Sequence, residues 1–238
     1  MANLHWLANP GRFLRITAVV LPWLAAATAV LLAVGLWLAL RAPQDATQGA
    51  PAKIMYMHVP SAILSMTIFG AMAFASAIAL IWRHPLADIG AKASAAIGAG
   101  FTATCLITGS LWGRPSWGTF WVWDARLTSE LILFFIYLGY IAIWQAIEDP
   151  QRASRAAAIV ALAGSINLPI IHYSVVWWNT LHQPPGLMQG RTDPSMAVPL
   201  LTLMGAFFLF YVTLLLRRME REIVDRKIRQ FRLLRAQA

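Results

Sequence analysis

The sequence predicts an all-α, polytopic membrane protein with six transmembrane helices and both termini cytoplasmic, and three observations carry that prediction. First, 59% of the 238 residues are hydrophobic and only 12% are charged, about half the charge of a soluble domain, with a mean hydropathy of +0.61. Second, six segments (16–40, 60–82, 93–112, 127–147, 156–178 and 197–216) reach the ~20 apolar residues that a hydrocarbon core of ~30 Å demands of a helix. Five of them lack Asp, Glu, Lys and Arg; the fourth contains Glu130. Third, Lys and Arg fall unevenly on the two sides that an even number of spans creates.

The side shared by the termini holds Arg12, Arg15, Arg83, Lys92, Arg152 and Arg155, and eight more basic residues between Arg217 and Arg235. The other side holds Arg41, Lys53, Arg114, Arg126 and Arg191. The C-terminal run therefore sets the orientation, and it divides the chain into a transmembrane domain, 1–216, and a basic cytoplasmic tail, 217–238. The tail accounts for most of the net charge of +9. Attraction to anionic lipid headgroups explains it, at about 1 kcal/mol per basic residue near the surface. Nucleic acid is a poor partner, because no groove-reading motif accompanies the charge. One cysteine, Cys105, excludes an internal disulfide and any paired-cysteine haem-attachment or redox motif; it reads as a packing residue.

The first span is too long for a signal-peptide core of ~7–15 residues and is expected to stay as a helix, with Trp23 and Trp37 at its interfaces. The loop after it ends in Met55-Tyr-Met-His-Val-Pro60, placing His58 two residues before a proline suited to opening a helix. The second and third spans are rich in Ala, Gly, Ser and Thr, which permits close helix approach. His84, in the turn between them, reads as solvated. Trp112-Gly-Arg-Pro-Ser-Trp-Gly-Thr-Phe-Trp-Val-Trp-Asp124 follows, four tryptophans in twelve residues, with Gly113, Pro115 and Gly118 expected to interrupt helix and form an outer loop over 112–125. Two readings account for the tryptophans: anchoring at the lipid–water boundary, or a flat platform for a planar aromatic ligand.

Asp124 is placed to cap the fourth helix. Arg126 and Glu130, four apart, share a face and can pair. Glu130, inside a span, is either functional or part of a structural ion pair. In the fifth span Pro169 is expected to kink the helix, with Asn167 satisfying the carbonyl it frees. His172 falls in the outer half of that span, and His182 lies beyond it, after Trp177 and Trp178. The sixth span shows only packing residues.

Two histidines from separate outer segments, His58 and His182, thus flank a tryptophan platform. That arrangement suits a planar ligand with a metal at its centre. Haem meets it: imidazole is a usual axial ligand, tryptophans can cover the porphyrin, and Arg114 and Arg126 are close enough to meet its propionates. Zinc and copper fail on ligand count.

Trp117-Gly-Thr-Phe-Trp-Val-Trp-Asp-Ala-Arg-Leu-Thr-Ser-Glu130 resembles the tryptophan-rich "WWD" signature of the haem-handling proteins of c-type cytochrome maturation. Met55-Tyr-Met-His-Val-Pro60 and the segment from Asn167 to Gln183 resemble the flanking segments of one branch, the CcmC (haem exporter protein C) family. The resemblance implies that His58 and His182 are axial ligands of a transiently held haem b. It places Trp112, Arg114, Trp117, Trp121, Trp123, Asp124, Arg126, Trp177 and Trp178 around that haem, on the periplasmic face of the bacterial inner membrane. It further implies delivery to the haem chaperone CcmE, within a complex with CcmA, CcmB and CcmD, by a transfer factor more than an enzyme. The alternative is a transporter carrying haem through its own helix bundle. A third is a scaffold whose tryptophans only anchor it.

Overall fold

The computed structural model describes residues 9–182 and 193–236; Gln183 and Arg191 lie outside them. Among the described residues there is no β-strand, and six helical units are long and apolar enough to cross a membrane. Helix α1 (Pro10–Arg41) starts where the Asn9 side chain accepts hydrogen bonds from the N–H groups of Gly11 and Arg12, with Pro10 in the first turn. A tight turn follows. The Asp45 carboxylate accepts from the Thr47 hydroxyl and from the N–H groups of Thr47 and Gln48, and Gly49 supplies a φ of 65°. Those bonds, the Thr47 hydroxyl foremost, hold the Asp45 carboxyl below the usual carboxylate range.

A 3₁₀ turn, Ala50–Ile54, leads into α2 (Met55–Trp82). The helix therefore begins five residues before Pro60 and carries His58 within it, a correction to the expectation that His58 lies in a loop. Pro60 has a helical φ, but inside the helix it removes the bond to the Tyr56 carbonyl and its ring crowds that carbonyl; burial of Pro60 in the bundle offsets this cost.

Helix α3 (Pro85–Trp117) also exceeds its predicted length. His84 is its N-cap, accepting from the Ala87 N–H at 3.2 Å, so this side chain is built into the helix start and is not simply solvated. Gly113 and Pro115 do not interrupt the helix. A Cβ at Gly113 would sit 3.0 Å from the Trp117 ring, so this glycine makes room for the indole to fold back. The stop comes at Gly118, whose φ of 78° is the left-handed turn glycine favours. The outer loop is thus shorter than expected, and Trp112 and Trp117 are helical.

Helix α4 (Ala125–Ala146) is capped by Asp124, which accepts from the Leu127 N–H at 2.8 Å, as predicted. The fifth span is two helices, α5 (Pro150–Gly164) and α6 (Asn167–Trp177). Pro169 offers no N–H to the Ser165 carbonyl, and the Leu168 N–H takes it instead at 3.1 Å. Asn167 therefore does not fill that gap: its amide reaches across to the Ser129 carbonyl of α4 at 2.8 Å. Helix α7 (Pro194–Ala236) runs unbroken from the last span through the basic segment.

Helices α1 and α7 lie antiparallel. Thr17 bonds Glu220 at 2.5 Å, Thr28 meets Thr213 at 3.0 Å, and Gly35 lies against Leu203. Helices α2 and α3 make the most extensive contact, and α7 packs against both. At the centre, Tyr137 of α4 donates to the Ser65 carbonyl of α2 at 2.8 Å and sits edge-on to Phe69. Its ring occupies the space left by Gly98 of α3. The end where α1 begins is tied by charge: Lys92 to Glu222, and Arg226 to both Glu222 and Asp88, each at 2.8 Å. Met219 and Ile223 pack there on Ile89 and Ala93. Part of the basic segment is therefore bundle structure.

A histidine and tryptophan cleft as candidate functional site

At the opposite end, α2, α3 and α4 line a cleft that opens to solvent. His58, His182, Trp112, Trp117, Trp121 and Arg126 all line it. The two imidazole centres are 6.3 Å apart with their planes inclined by 37°. Trp112 stands edge-on to His58 at 5.8 Å, and Trp117 lies 6.3 Å from His182.

His58 is 9% exposed and held from behind. Its Nδ1 lies 3.1 Å from the Cys105 carbonyl oxygen and 3.2 Å from the Thr108 hydroxyl. The Thr108 hydroxyl donates to the Thr104 carbonyl at 2.6 Å, and a carbonyl only accepts, so Nδ1 carries the proton. Nε2 then keeps its lone pair. Gly109 allows this approach, since a Cβ there would fall 2.9 Å from His58 Cε1.

His182 is positioned differently. It follows the end of α6, and its backbone N–H donates to the Thr180 hydroxyl oxygen at 3.0 Å. The Thr180 hydroxyl in turn donates to the second carboxylate oxygen of Asp124. Asp124 does not line the cleft but joins the α4 start to the His182 segment. Across the cleft, the Trp112 indole N–H donates to Gln48 at 2.8 Å, so the Asp45 turn fixes one tryptophan.

Arg126 and Glu130 do not pair, contrary to the sequence expectation. The Arg126 guanidinium donates to the Ile171 carbonyl at 2.6 Å, and the buried Glu130 carboxylate accepts from the Ser65 hydroxyl at 2.7 Å. Helical spacing made the pair possible, but each group found a partner on another helix. Both still line the cleft. Arg114 points elsewhere, to the Gly118 carbonyl and the Phe120 ring. Trp123, Trp177 and Trp178, at 76%, 56% and 50% exposure, also lie away from the lining. Trp123 packs on Trp121, and Trp177 stacks on Tyr173. His172 is exposed beside Tyr173 and does not reach the cleft. Trp121 buries an indole N–H that has no partner among the described residues. Gln48, Thr108, Gly109 and Thr180 escaped sequence reasoning, because each acts on a residue distant in the chain.

The fold and this site define a multi-pass helical membrane protein with a cleft, lined by two histidines and three tryptophans, at one end of its bundle. Among the described residues no three His, Cys, Asp or Glu side chains group as a metal site of their own. From residue 3 to residue 234 the sequence matches the CcmC family, described as Heme exporter protein C, and the chain belongs to that family. It is 58% identical over 233 residues to the Heme exporter protein C of Bradyrhizobium diazoefficiens, covering 97% of this chain and 89% of that one. The protein of the same description from Escherichia coli (strain K12) is 51% identical over 223 residues, 93% of this chain and 91% of the other. That from Haemophilus influenzae is 45% identical over 226 residues, 93% and 92% of the two chains.

Proposed function

We propose that this protein holds haem b transiently, as cargo, between the imidazoles of His58 and His182, and passes it on for c-type cytochrome biogenesis. The observation that carries the reading is the convergence of those two rings, drawn from segments more than a hundred residues apart. Two imidazoles bound trans to one first-row metal at about 2.0–2.1 Å each have ring centres on the order of 6 Å apart, and the observed separation is 6.3 Å. The proton held on His58 Nδ1 leaves Nε2 available as a ligand, as an imidazole bound to a metal requires.

The rest of the cleft suits a porphyrin. Trp112 and Trp117 supply aromatic walls, and its lining is mostly apolar. The unpartnered Trp121 N–H and the Arg126 guanidinium are donors suited to propionates. Asp124 serves as a positioning group. Arg114, Trp123, Trp177 and Trp178 belong to the rim, where they suit an interface with lipid or with an acceptor. The excess of Lys and Arg at the opposite end supports placing the cleft on the periplasmic side of the bacterial inner membrane. The family resemblance supports CcmE as acceptor and CcmA, CcmB and CcmD as complex partners. It also supports 1–216 as the haem-handling unit, with 217–238 as its cytoplasmic tail.

The test is to purify the protein and record haem absorption for the parent chain, His58→Ala and His182→Ala, then measure loading of CcmE. The parent is expected to show a six-coordinate, low-spin spectrum that each variant loses. Retention of that spectrum by both variants overturns the ligand assignment.

A further inference from the structure

The segment that joins α1 to α2 contributes one side chain to the cleft, Gln48, and is built to hold it still. The Asp45 carboxylate accepts from the backbone N–H of Gln48 and from both donors of Thr47. Gly49 turns the chain back with a φ of 65°. The Lys53 ammonium closes the base of the segment by donating to the Leu40 carbonyl at 2.9 Å. Asp45 itself does not line the cleft, so its carboxylate serves the turn and leaves the wall to Gln48.

The side-chain amide is oriented as well as placed. An indole N–H can only donate, so the atom that meets the Trp112 ring nitrogen at 2.8 Å is the amide oxygen. The amide nitrogen is the end left over, and it bonds no described residue. Two N–H donors therefore stand at the wall of a mostly apolar cleft, where a few fixed polar groups decide which ligand is accepted and how it lies. Trp112 stands edge-on to His58 at 5.8 Å, so the amide that holds this indole is one ring removed from a proposed axial ligand.

We infer that Gln48 both positions and recognises: its carbonyl oxygen fixes the Trp112 wall, and its amide N–H groups bind a carboxylate of the cargo. The inference rests on the haem reading above. It names what the cleft selects, a porphyrin whose side-chain acids are free over one whose acids are esterified. The two roles fall on opposite ends of one amide, so they can be separated by substitution.

The test uses the full chain, purified in detergent and titrated with ferric haem b and with its dimethyl ester. It compares the parent with Gln48→Glu, Gln48→Leu and His58→Ala, reading affinity and the axial-ligand spectrum. A glutamate still accepts from the indole but has no N–H to give, whereas leucine does neither. Any side chain at this position keeps the backbone bond to Asp45. The parent is expected to bind haem more tightly than the ester. Gln48→Glu should weaken haem by roughly tenfold or more, the scale of one hydrogen bond to a charged group, while the ester binds as to the parent, because Trp112 keeps its partner. Gln48→Leu should weaken both ligands, and haem the more. Equal affinity of the parent for haem and ester overturns the recognition of a carboxylate. A haem-to-ester ratio that neither Gln48 variant changes also overturns it, whether both ligands weaken together or not at all, and leaves the haem reading standing. A His58→Ala variant with the parent's spectrum and affinity removes the haem reading itself, and the role of Gln48 with it.

Discussion

Replacing Gly109 with alanine separates ligand geometry from fold stability. The new Cβ would sit 2.9 Å from His58 Cε1, whereas carbon atoms rest at about 3.5–4.0 Å. Relieving the contact requires the imidazole to withdraw by roughly 0.6–1.1 Å. A metal–nitrogen bond tolerates only about 0.2 Å, so the ring can no longer ligate an iron held by the rest of the cleft. The same movement disturbs the 3.1 Å bond from Nδ1 to the Cys105 carbonyl, at a net cost of about 1 kcal/mol. Gly109 lies inside α3, where alanine gains about 0.8–1.0 kcal/mol over glycine. The two contributions nearly cancel. Gly109→Ala is therefore expected to unfold within a few degrees of the parent while losing the low-spin, six-coordinate haem spectrum. The assay pairs thermal unfolding with absorption spectroscopy of the haem-loaded protein. A normally folded variant with an unchanged spectrum would refute the placement of His58 as a ligand backed by α3.

Three further outcomes follow from the geometry. Arg226→Leu breaks two 2.8 Å contacts among side chains that are each less than a third exposed. It should lower stability by on the order of 1–2 kcal/mol and quicken proteolysis beyond Arg217, whereas Arg221→Ala, at an exposed 3.8 Å pair, should leave both unchanged. The Asp45 carboxyl titrates below its ordinary value, so its contribution to the turn is complete above about pH 4 and is lost as pH falls through the folded-state pKa. Thr47→Val removes the largest cause and should raise the Asp45 midpoint, read by carboxyl NMR. In a Cys105→Ala background, an impermeant maleimide added from the periplasmic side should label Phe120→Cys but not Arg83→Cys, and the reverse pattern would invert the orientation.

Much of this was legible in the chain because hydropathy and charge act over whole segments. All six spans, the Asp124 cap and the convergence of His58, His182, Trp112, Trp117, Trp121 and Arg126 on one cleft agree with sequence reasoning. The departures share one physical origin. Local rules place a boundary at Pro60, a helix break at Gly113 and Pro115, and an ion pair at Arg126 and Glu130. Tertiary contacts overrule each of them. Burial of Pro60 in the bundle offsets the bond it removes and the crowding its ring brings; Gly113 is needed as space for Trp117; Ser65 and the Ile171 carbonyl draw Glu130 and Arg126 away from each other. Composition also hid the double role of the basic segment, because Glu220, Glu222, Met219 and Ile223 turn its first two turns toward the bundle. Gln48 and Thr180 carried no signal, since a polar side chain in a loop declares its partner only in three dimensions.

The haem-bound structure of the full chain tests the central claim most directly. The account predicts iron bound by Nε2 of His58 and by an imidazole nitrogen of His182, with the porphyrin against Trp112 and Trp117. Iron coordinated by His172 or by any residue outside this cleft, or a haem seated elsewhere in the bundle, would contradict it.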